Sequence, residues 1–433
     1  MAEQGTRIRR TRSVCPVCLR QIPAERVLRD GAMYLEKRCP EHGDFSAVVW
    51  RGREDFQGWI GGLPEIGEGE NRNCPAACGL CPEHKRDTCC VLLEITDRCD
   101  LRCRYCFADN RYIRDPPLET VKAWLRDLAV PGKTLVQLSG GEPTVREDLP
   151  EIIACAKEAG CRYVQLNTNG VRLAEEEGYA ERLAAAGLSF VFLQFDGTND
   201  DVWTAMRGRP MAELKERAIE NCGKSRLGVT LVPTLVPGIN IAEIGPILRY
   251  AIRRSPTVRG VHFQPVSYMG RIPALPRDED RFTLDELIAE LLRQSDGLIQ
   301  GENIAPSSCD HPLCGFHGDF VVMPDGSLMP LTHRQTAGEG CCCGTPSADP
   351  AALNRQFVGK RWERRDKDGP EGTDMSDMSQ FLDRVLKYGF TVTAMAFQDA
   401  GNLDIERLRQ CSLHVYREGR IIPFCARYLT PLE

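Results

Sequence analysis

The residues best suited to chemistry are three cysteines within eight positions, Cys99-Asp100-Leu101-Arg102-Cys103-Arg104-Tyr105-Cys106. Their C-x3-C-x2-C spacing directly follows the apolar run Val91-Leu92-Leu93-Glu94-Ile95-Thr96. Three thiolates so spaced can converge on one side of a loop and hold three corners of a cuboidal cluster. Iron–sulfur clusters ligated entirely by protein take four cysteines, so a fourth corner here is left for a substrate or cofactor. A structural zinc site is the simpler alternative, but it calls for four ligands in a closed tetrahedron.

The other cysteines fall into groups. The chain holds 21 in all; in a long sequence without an export signal that number points to metal rather than disulfides. Arg7, Arg9, Arg10 and Arg12 precede no apolar stretch, so the N-terminus reads as a solvated basic tail and the expected location is cytoplasmic. Cys15-Pro-Val-Cys18 and Cys39-Pro-Glu-His42 flank a hairpin-like segment whose turn is Asp30-Gly31. Two such knuckles can close on one iron or zinc ion through three sulfurs and an imidazole; the alternative leaves His42 as a surface residue beside a three-cysteine site. Cys74, Cys78 and Cys81 repeat the C-x3-C-x2-C spacing and are joined by Cys89, enough to close an auxiliary cluster. Cys309, Cys314, Cys411 and Cys425 supply four thiolates for another, with zinc as the alternative. Cys90 reads as packed in the first strand, and Cys155, Cys161 and Cys222 as buried apolar side chains.

These groups need a scaffold. At 433 residues, with 42% hydrophobic and 27% charged residues, the chain has material for two or three domains and a sizeable core. A net charge of −6 argues against a general nucleic-acid binder, and no apolar run reaches the roughly 20 residues of a membrane span. The expected organisation is a metal unit at 1–60, a cluster loop at 61–90, an α/β region at 91–295 and a C-terminal cluster region at 296–433. In the α/β region, strands are expected at 91–95, 134–138, 163–167, 190–195, 228–235 and 261–266. Helices are expected at 118–128, 148–159, 175–186, 212–221, 244–254 and 284–293, the last with Thr283 as N-cap. Six βα units in series imply a parallel sheet with right-handed crossovers, and six rather than eight imply a partial (β/α)6 TIM barrel.

Sites in such sheets lie at the C-terminal ends of the strands, and the motifs fall there. The cysteine loop follows the first strand, Ser139-Gly140-Gly141-Glu142-Pro143-Thr144 the second, and Asn167-Thr168-Asn169-Gly170 the third. Gln194-Phe195-Asp196-Gly197 ends the fourth, and the sixth runs Gln264-Pro265-Val266-Ser267. A glycine pair alone is most often a tight turn; opposite a cysteine loop it suggests a binding edge.

The sequence resembles radical S-adenosylmethionine (SAM) enzymes, including the aromatic Tyr105 before the last cysteine. It is similar to the group containing tetraether lipid synthase and the dihydropterin methylase. The likeness spans nearly the whole chain, through "CPVC…CPEHG", "CGLCPEHK…TC", "CDLRCRYCFA", "SGGEPT", "FQPVSYMGR", "CDHPLC", "FQDAGNLDIERLRQC" and "IIPFC". It implies a rubredoxin-like or zinc-ribbon-like mononuclear iron or zinc site and three 4Fe-4S clusters, one of them for SAM on Cys99, Cys103 and Cys106. It also implies that Gly140, Gly141, Glu142 and Pro143 meet the methionyl amine, and that Tyr105, Asn167, Gln194, Asp196, Gln264 and Val266 border the SAM pocket. The activity implied is reductive SAM cleavage to a 5′-deoxyadenosyl radical that abstracts hydrogen from an unactivated C–H, for carbon methylation or C–C bond formation. The implied partners are a small-molecule, lipid or other non-nucleic-acid substrate and an electron donor such as flavodoxin or ferredoxin.

Two features depart from that group. Cys411-Ser412-Leu413-His414 stands where Cys-Cys-Ile-His is frequent, and the triplet Cys341-Cys342-Cys343 lies outside the pattern. Between Gly338, Gly340 and Gly344, the triplet reads either as a plain surface loop or as one delivering a redox or substrate-handling thiol to the SAM pocket. A peptide-maturing radical SAM enzyme is an alternative, as is a non-enzymatic iron–sulfur electron carrier. The carrier would have no use for Gly140-Gly141-Glu142-Pro143 beside an open-cornered cluster.

Overall fold

In the computed structural model, residues 5–61, 74–75, 79, 81–108, 114–271, 275–334, 350–364 and 377–432 are described. Cys78 and the triplet Cys341 to Cys343 lie outside them. Asp30 and Gly31 take φ of 51° and 77°, the left-handed pair a two-residue I′ hairpin turn requires. They join β2 (Gln21–Arg29) to β3 (Ala32–Cys39). With β1 (Thr6–Val14) and β4 (Gly43–Trp50) these form a four-stranded antiparallel sheet in chain order.

This sheet is locked to the C-terminal part of the chain by buried charge. Arg26, 3% exposed, donates from Nε and Nη2 to Asp404 Oδ2 at 2.9 and 2.7 Å and also meets Glu406 Oε2 at 2.9 Å. Lys37 Nζ donates to Ser13 Oγ and to the Ala400 carbonyl. Burial pushes the Asp404 carboxyl up, but Arg26 outweighs it and holds the group below its ordinary value. A depressed folded-state pKa adds stability above the unfolded value near 3.9, and that stability is lost as pH falls through the folded one. Asp404→Ala is therefore expected to cost about 3 kcal/mol at neutral pH, because it removes one of the two carboxylates that pair the buried Arg26 guanidinium and leaves Glu406 to carry it. Below about pH 4 the penalty should shrink, which denaturant melts of both proteins across pH would check.

The main sheet is built on six parallel strands in chain order, as the alternating text implies. They are β5 (Cys90–Thr96), β6 (Leu135–Gly140), β7 (Tyr163–Thr168), β8 (Phe190–Gln194), β9 (Gly228–Val232) and β11 (Val258–Pro265). The short β10 (Thr234–Leu235) follows β9 and also pairs with β11. Crossover helices occupy Leu118–Leu128, Leu149–Glu158, Ala212–Lys224, Ile244–Arg253 and Leu284–Gln294. Thr283 caps the last, its N–H and hydroxyl both donating to the Glu286 carboxylate. The helix expected at 175–186 is two, Val171–Glu175 and Tyr179–Ala185, parted where Gly178 takes φ 71°. An extra helix, Asp200–Arg207, is capped by the Asn199 side chain.

The C-terminal region joins the same sheet. It supplies β12 (Ala305–Pro306), β13 (Gly315–Val322), β14 (Leu328–Pro330), β15 (Gly389–Met395), β16 (Leu413–Arg417) and β17 (Arg420–Pro423). β15 pairs parallel with β11, and β16 parallel with β5, so the parallel core grows by one strand at each edge. β13 and β17 then add antiparallel outside them.

Helix Pro350–Trp362 closes the end of the barrel where the strands begin. A Cβ on Gly228, at the start of β9, would lie 2.0 Å from the Trp362 carbonyl, and one on Gly359 would lie 2.2 Å from the Tyr163 ring. Only glycine permits both approaches. Trp362 packs on Phe190 and Phe192, with ring centroids at 5.6 and 4.6 Å, and its Nε1 donates to Thr391 Oγ1.

Candidate functional site

The cysteine loop is fastened from four directions at the C-terminal edge of the strands. Gly141 N donates to the Thr96 carbonyl at 2.7 Å and Glu142 N to the Arg98 carbonyl at 2.8 Å, zipping the glycine loop after β6 onto the root of the cysteine loop. Asn169 Nδ2, after β7, donates to Asp100 Oδ1 at 2.6 Å. Arg104 N reaches the Met206 carbonyl, and Arg271 N the Cys106 carbonyl. The glycines are sterically required. A Cβ on Gly140 would lie 2.1 Å from the Thr96 carbonyl oxygen, one on Gly141 2.1 Å from that of Arg98, and one on Gly270 2.2 Å from that of Phe107.

Glu142 is the clamp between two of these loops. Its buried carboxylate accepts from Thr144 N and Oγ1, Thr168 Oγ1 and Asn169 N. Burial raises its pKa against the pull of those four bonds. With its oxygens so committed, the backbone carbonyls beside it are the acceptors left for an ammonium group.

A cavity of about 320 Å³ runs from this loop into the barrel. Cys99, Cys103, Tyr105, Cys106, Gly140, Gly141, Glu142, Asn167, Gln194 and Gln264 line it, whereas Pro143, Asp196 and Val266 stand behind the lining. Asp196 is fully buried, its carboxylate taken up by Arg207 Nε at 2.6 Å, Thr234 N at 3.0 Å and the Gln194 side chain. Arg207 also faces Cys103. Burial pushes the Cys99 thiol up to about 12 and raises that of Cys106, so a bound cation is needed to hold them as thiolates.

The same cavity reaches the other cysteines. Cys89 and Cys309 both line it and their side chains meet there, so the two auxiliary sets adjoin. Cys411 lies within electrostatic reach of Asp310, Cys425 and Cys314; burial first, then Asp310 and then the two cysteines raise its pKa. His84 Nε2 holds the Cys411 carbonyl at 2.7 Å and packs on His414, whose Nδ1 meets Thr88 Oγ1 at 3.0 Å. Cys74 is buried and Cys81 partly so.

At the N-terminal sheet, Cys15, Cys18, Cys39 and His42 bring their ligand atoms within 4.8 Å of one another. His42 Nδ1 lies 3.6 Å from Cys15 Sγ and 3.4 Å from Cys39 Sγ, which places it in the site rather than on the bare surface. Burial pushes the Cys39 thiol up, but hydrogen bonds from His42 and the backbone outweigh it and bring it to about 6. Three sulfurs and one imidazole fit a closed zinc-type site. Cys39→Ser should remove one metal ion per chain, and protease protection of residues 7–51 should fall with it; mass spectrometry and limited proteolysis would read both.

Sequence reasoning passed over several residues of the site. Lys215 is fully buried, donates to the Asn169 carbonyl at 2.6 Å and Gln194 Oε1 at 3.2 Å, and lies over the Trp203 ring. Burial lowers it to about 7. Its signal was a charge on the apolar stripe Leu214, Ala218, Ile219 and Cys222. Phe192, His262, Thr393 and Trp362 also line the cavity.

Comparison with known proteins gives the class of the chain. Residues 93–251 match the radical SAM superfamily, and residues 7–51 match the HMPTM N-terminal zinc ribbon domain. A protein of Methanocaldococcus jannaschii, 7,8-dihydro-6-hydroxymethylpterin dimethyltransferase, is 34% identical, with 96% of this chain and 92% of that protein covered. Fe-coproporphyrin III synthase of Methanosarcina barkeri is 34% identical over 42% of this chain and 45% of its own. Among solved structures, SuiB of Streptococcus suis bound to its precursor peptide SuiA matches at TM-score 0.40 and 16% identity, covering 49% of this chain and 48% of that one. The chain has the fold of a radical SAM enzyme, a class that binds SAM and a 4Fe-4S cluster. Within that class the chain belongs to the family of the dihydropterin dimethyltransferase. No described helix is long and apolar enough to cross a membrane.

Proposed function

We propose that this enzyme uses the SAM-derived radical to methylate carbon, or join it to another carbon, at an unactivated C–H of a small N-heterocycle, with a reduced pterin as first candidate. The observation that carries the reading is the single cavity connecting the Cys99–Cys106 loop with an aromatic interior, in a chain alike along its length to the dihydropterin dimethyltransferase.

In this reading Cys99, Cys103 and Cys106 hold the SAM cluster. Cys74, Cys78, Cys81 and Cys89 hold one auxiliary cluster, and Cys309, Cys314, Cys411 and Cys425 the other. When bound, the open-cornered cluster supplies the electron that breaks the SAM sulfonium C–S bond. The chain's own part is to orient and to exclude water. Gly140 and Gly141 bring backbone carbonyls up to the methionyl amine, and Asn167, Gln194 and Gln264 offer amides to the rest of SAM. Lys215 fixes the loop after β7 and Gln194. An electron donor such as flavodoxin or ferredoxin would serve the clusters. With two auxiliary clusters and one mononuclear ion the full load is about 13 metal ions per chain, at ~4 irons per cluster.

The test is anaerobic incubation of the fully metal-loaded protein with SAM, dithionite and 7,8-dihydro-6-hydroxymethylpterin. A pterin product heavier by one or two methyl groups is expected; each C–H exchanged for C–CH3 uses one SAM cleaved to methionine and 5′-deoxyadenosine, a second SAM that gives up its methyl and leaves as S-adenosylhomocysteine, and two electrons from dithionite. Unchanged pterin beside continued 5′-deoxyadenosine formation would reject the substrate class.

A further inference from the structure

The cavity wall carries a polar row outside the residues assigned above to SAM. His262 on β11 is paired in register with Thr393 on β15, and Thr393 with His317 on β13. Residues directly opposite across paired strands share a face, and all three line the cavity. Because adjacent strands lie about 4.8 Å apart, the two imidazoles stand on either side of Thr393 like two posts.

The hydrogen bonds determine what the posts offer. His262 Nδ1 lies 2.8 Å from Thr393 Oγ1. We assign the Thr393 hydroxyl hydrogen to the Val261 carbonyl, 3.5 Å away, so the hydroxyl accepts from His262 Nδ1–H and Nε2 keeps its lone pair. The His317 ring faces the Pro306 carbonyl. A carbonyl can only accept, so the neutral ring turns its one N–H toward it and leaves the other nitrogen as an acceptor. Burial lowers the pKa of both rings, that of His262 to about 4, which keeps them neutral and preserves those lone pairs. Aromatic faces border the row. The Phe192 ring lies 5.5 Å from His262 at 35°, Trp362 lies 4.6 Å from Phe192, and Phe357 stands 6.1 Å from His317.

We infer that His262 and His317 are the specificity-determining residues of the substrate pocket, reading N–H donors of a planar heterocycle that sits between them and packs against Phe192 and Trp362. The inference rests on the heterocycle reading of the preceding subsection and adds the donors by which the ring is held. An acceptor on each side of the ring selects amino or lactam N–H groups, such as those of the 2-amino-4-oxopyrimidine half of a pterin. The two acceptors discriminate against a ring presenting a carbonyl at the same place. An unpaired buried acceptor is costly, so exchanging NH₂ for C=O should weaken binding markedly.

The test uses fully metal-loaded protein and two fluorescent probes, 6-hydroxymethylpterin and its lumazine analogue, in which the 2-amino group is replaced by oxygen. Wild type should bind the pterin at least tenfold more tightly than the lumazine. His262→Phe and His317→Phe should each weaken pterin binding at least tenfold, and one of them should erase the preference between the probes. Iron content and SAM affinity should stay at wild-type values. His262→Gln, whose amide oxygen can accept, should recover part of the loss. It also stands in should the phenylalanine variant misfold. Pterin binding within twofold of wild type in both phenylalanine variants, or an undiminished preference in both, would overturn the inference. If wild type binds neither probe, guanine and 2-aminopyrimidin-4-one are titrated in the same way. Histidine-dependent binding of either would uphold the pocket while rejecting the pterin, and its absence for both would reject the pocket.

Discussion

Alanine at Cys99, Cys103 and Cys106 is expected to abolish SAM cleavage and to lower the iron content by about four atoms per chain, one cluster's worth. The remaining iron and the ion at Cys15, Cys18, Cys39 and His42 should stay. The loop holding the three cysteines is fastened through backbone bonds to Thr96, Arg98, Arg104 and Cys106 and through Asp100. None of these bonds uses a sulfur, so they survive removal of the thiols, and what is lost beside the cluster is local, such as the Leu101 N–H bond to Cys99 Sγ at 3.4 Å. The change should therefore act on the cluster and not on the fold. Loss of iron from the other sites as well would show that the thiolates are partitioned differently, a real alternative where Cys89 and Cys309 meet. Iron analysis alongside assay of 5′-deoxyadenosine distinguishes the outcomes.

Gly140→Ala should be nearly as damaging without removing any ligand. Gly140 takes φ 124°, a conformation that L side chains rarely adopt, and its new Cβ would press on the Thr96 carbonyl oxygen at 2.1 Å. A residue forced into such a backbone region costs about 1–3 kcal/mol, and overpacking typically adds about 1–3 kcal/mol. The neighbour is backbone and cannot rotate away. The loops relieve the clash most easily by parting, which breaks the Gly141 N to Thr96 bond and displaces the carbonyls offered to the methionyl amine. SAM cleavage should fall at least tenfold and the KM for SAM should rise, while the circular dichroism spectrum stays that of wild type. Wild-type SAM kinetics in G140A would show that this close approach is not needed.

How much of this was legible in the sequence depended on what each segment buries. The six central strands were readable because each is a short apolar run ended by a glycine or polar cluster. Helix Leu284–Gln294 announced itself through Thr283 and Glu286. β15 did not, since Phe390, Thr391 and Val392 are all buried and such a strand shows no alternation. Helix Pro350–Trp362 was hidden for a different reason. It packs through Ala351, Gly359 and Trp362, so small residues and one tryptophan replace the usual apolar stripe. Among site residues, the cysteine and glycine spacings were visible as motifs. The row His262, Thr393, His317 was not, because it is assembled from three strands more than 130 residues apart at its extremes, and only their register aligns it. Cys341 to Cys343 lie outside the described residues, so the thiol-delivery reading of that triplet stays a proposal.

The most direct test of the central claim is the mass of the 5′-deoxyadenosine formed. Fully metal-loaded protein would be incubated anaerobically with SAM, dithionite and a 7,8-dihydro-6-hydroxymethylpterin deuterated at its aliphatic carbons. 5′-Deoxyadenosine carrying deuterium is predicted, since the radical would take its hydrogen from the heterocycle held against His262 and His317. No 5′-deoxyadenosine at all from protein with its full complement of iron would contradict the account.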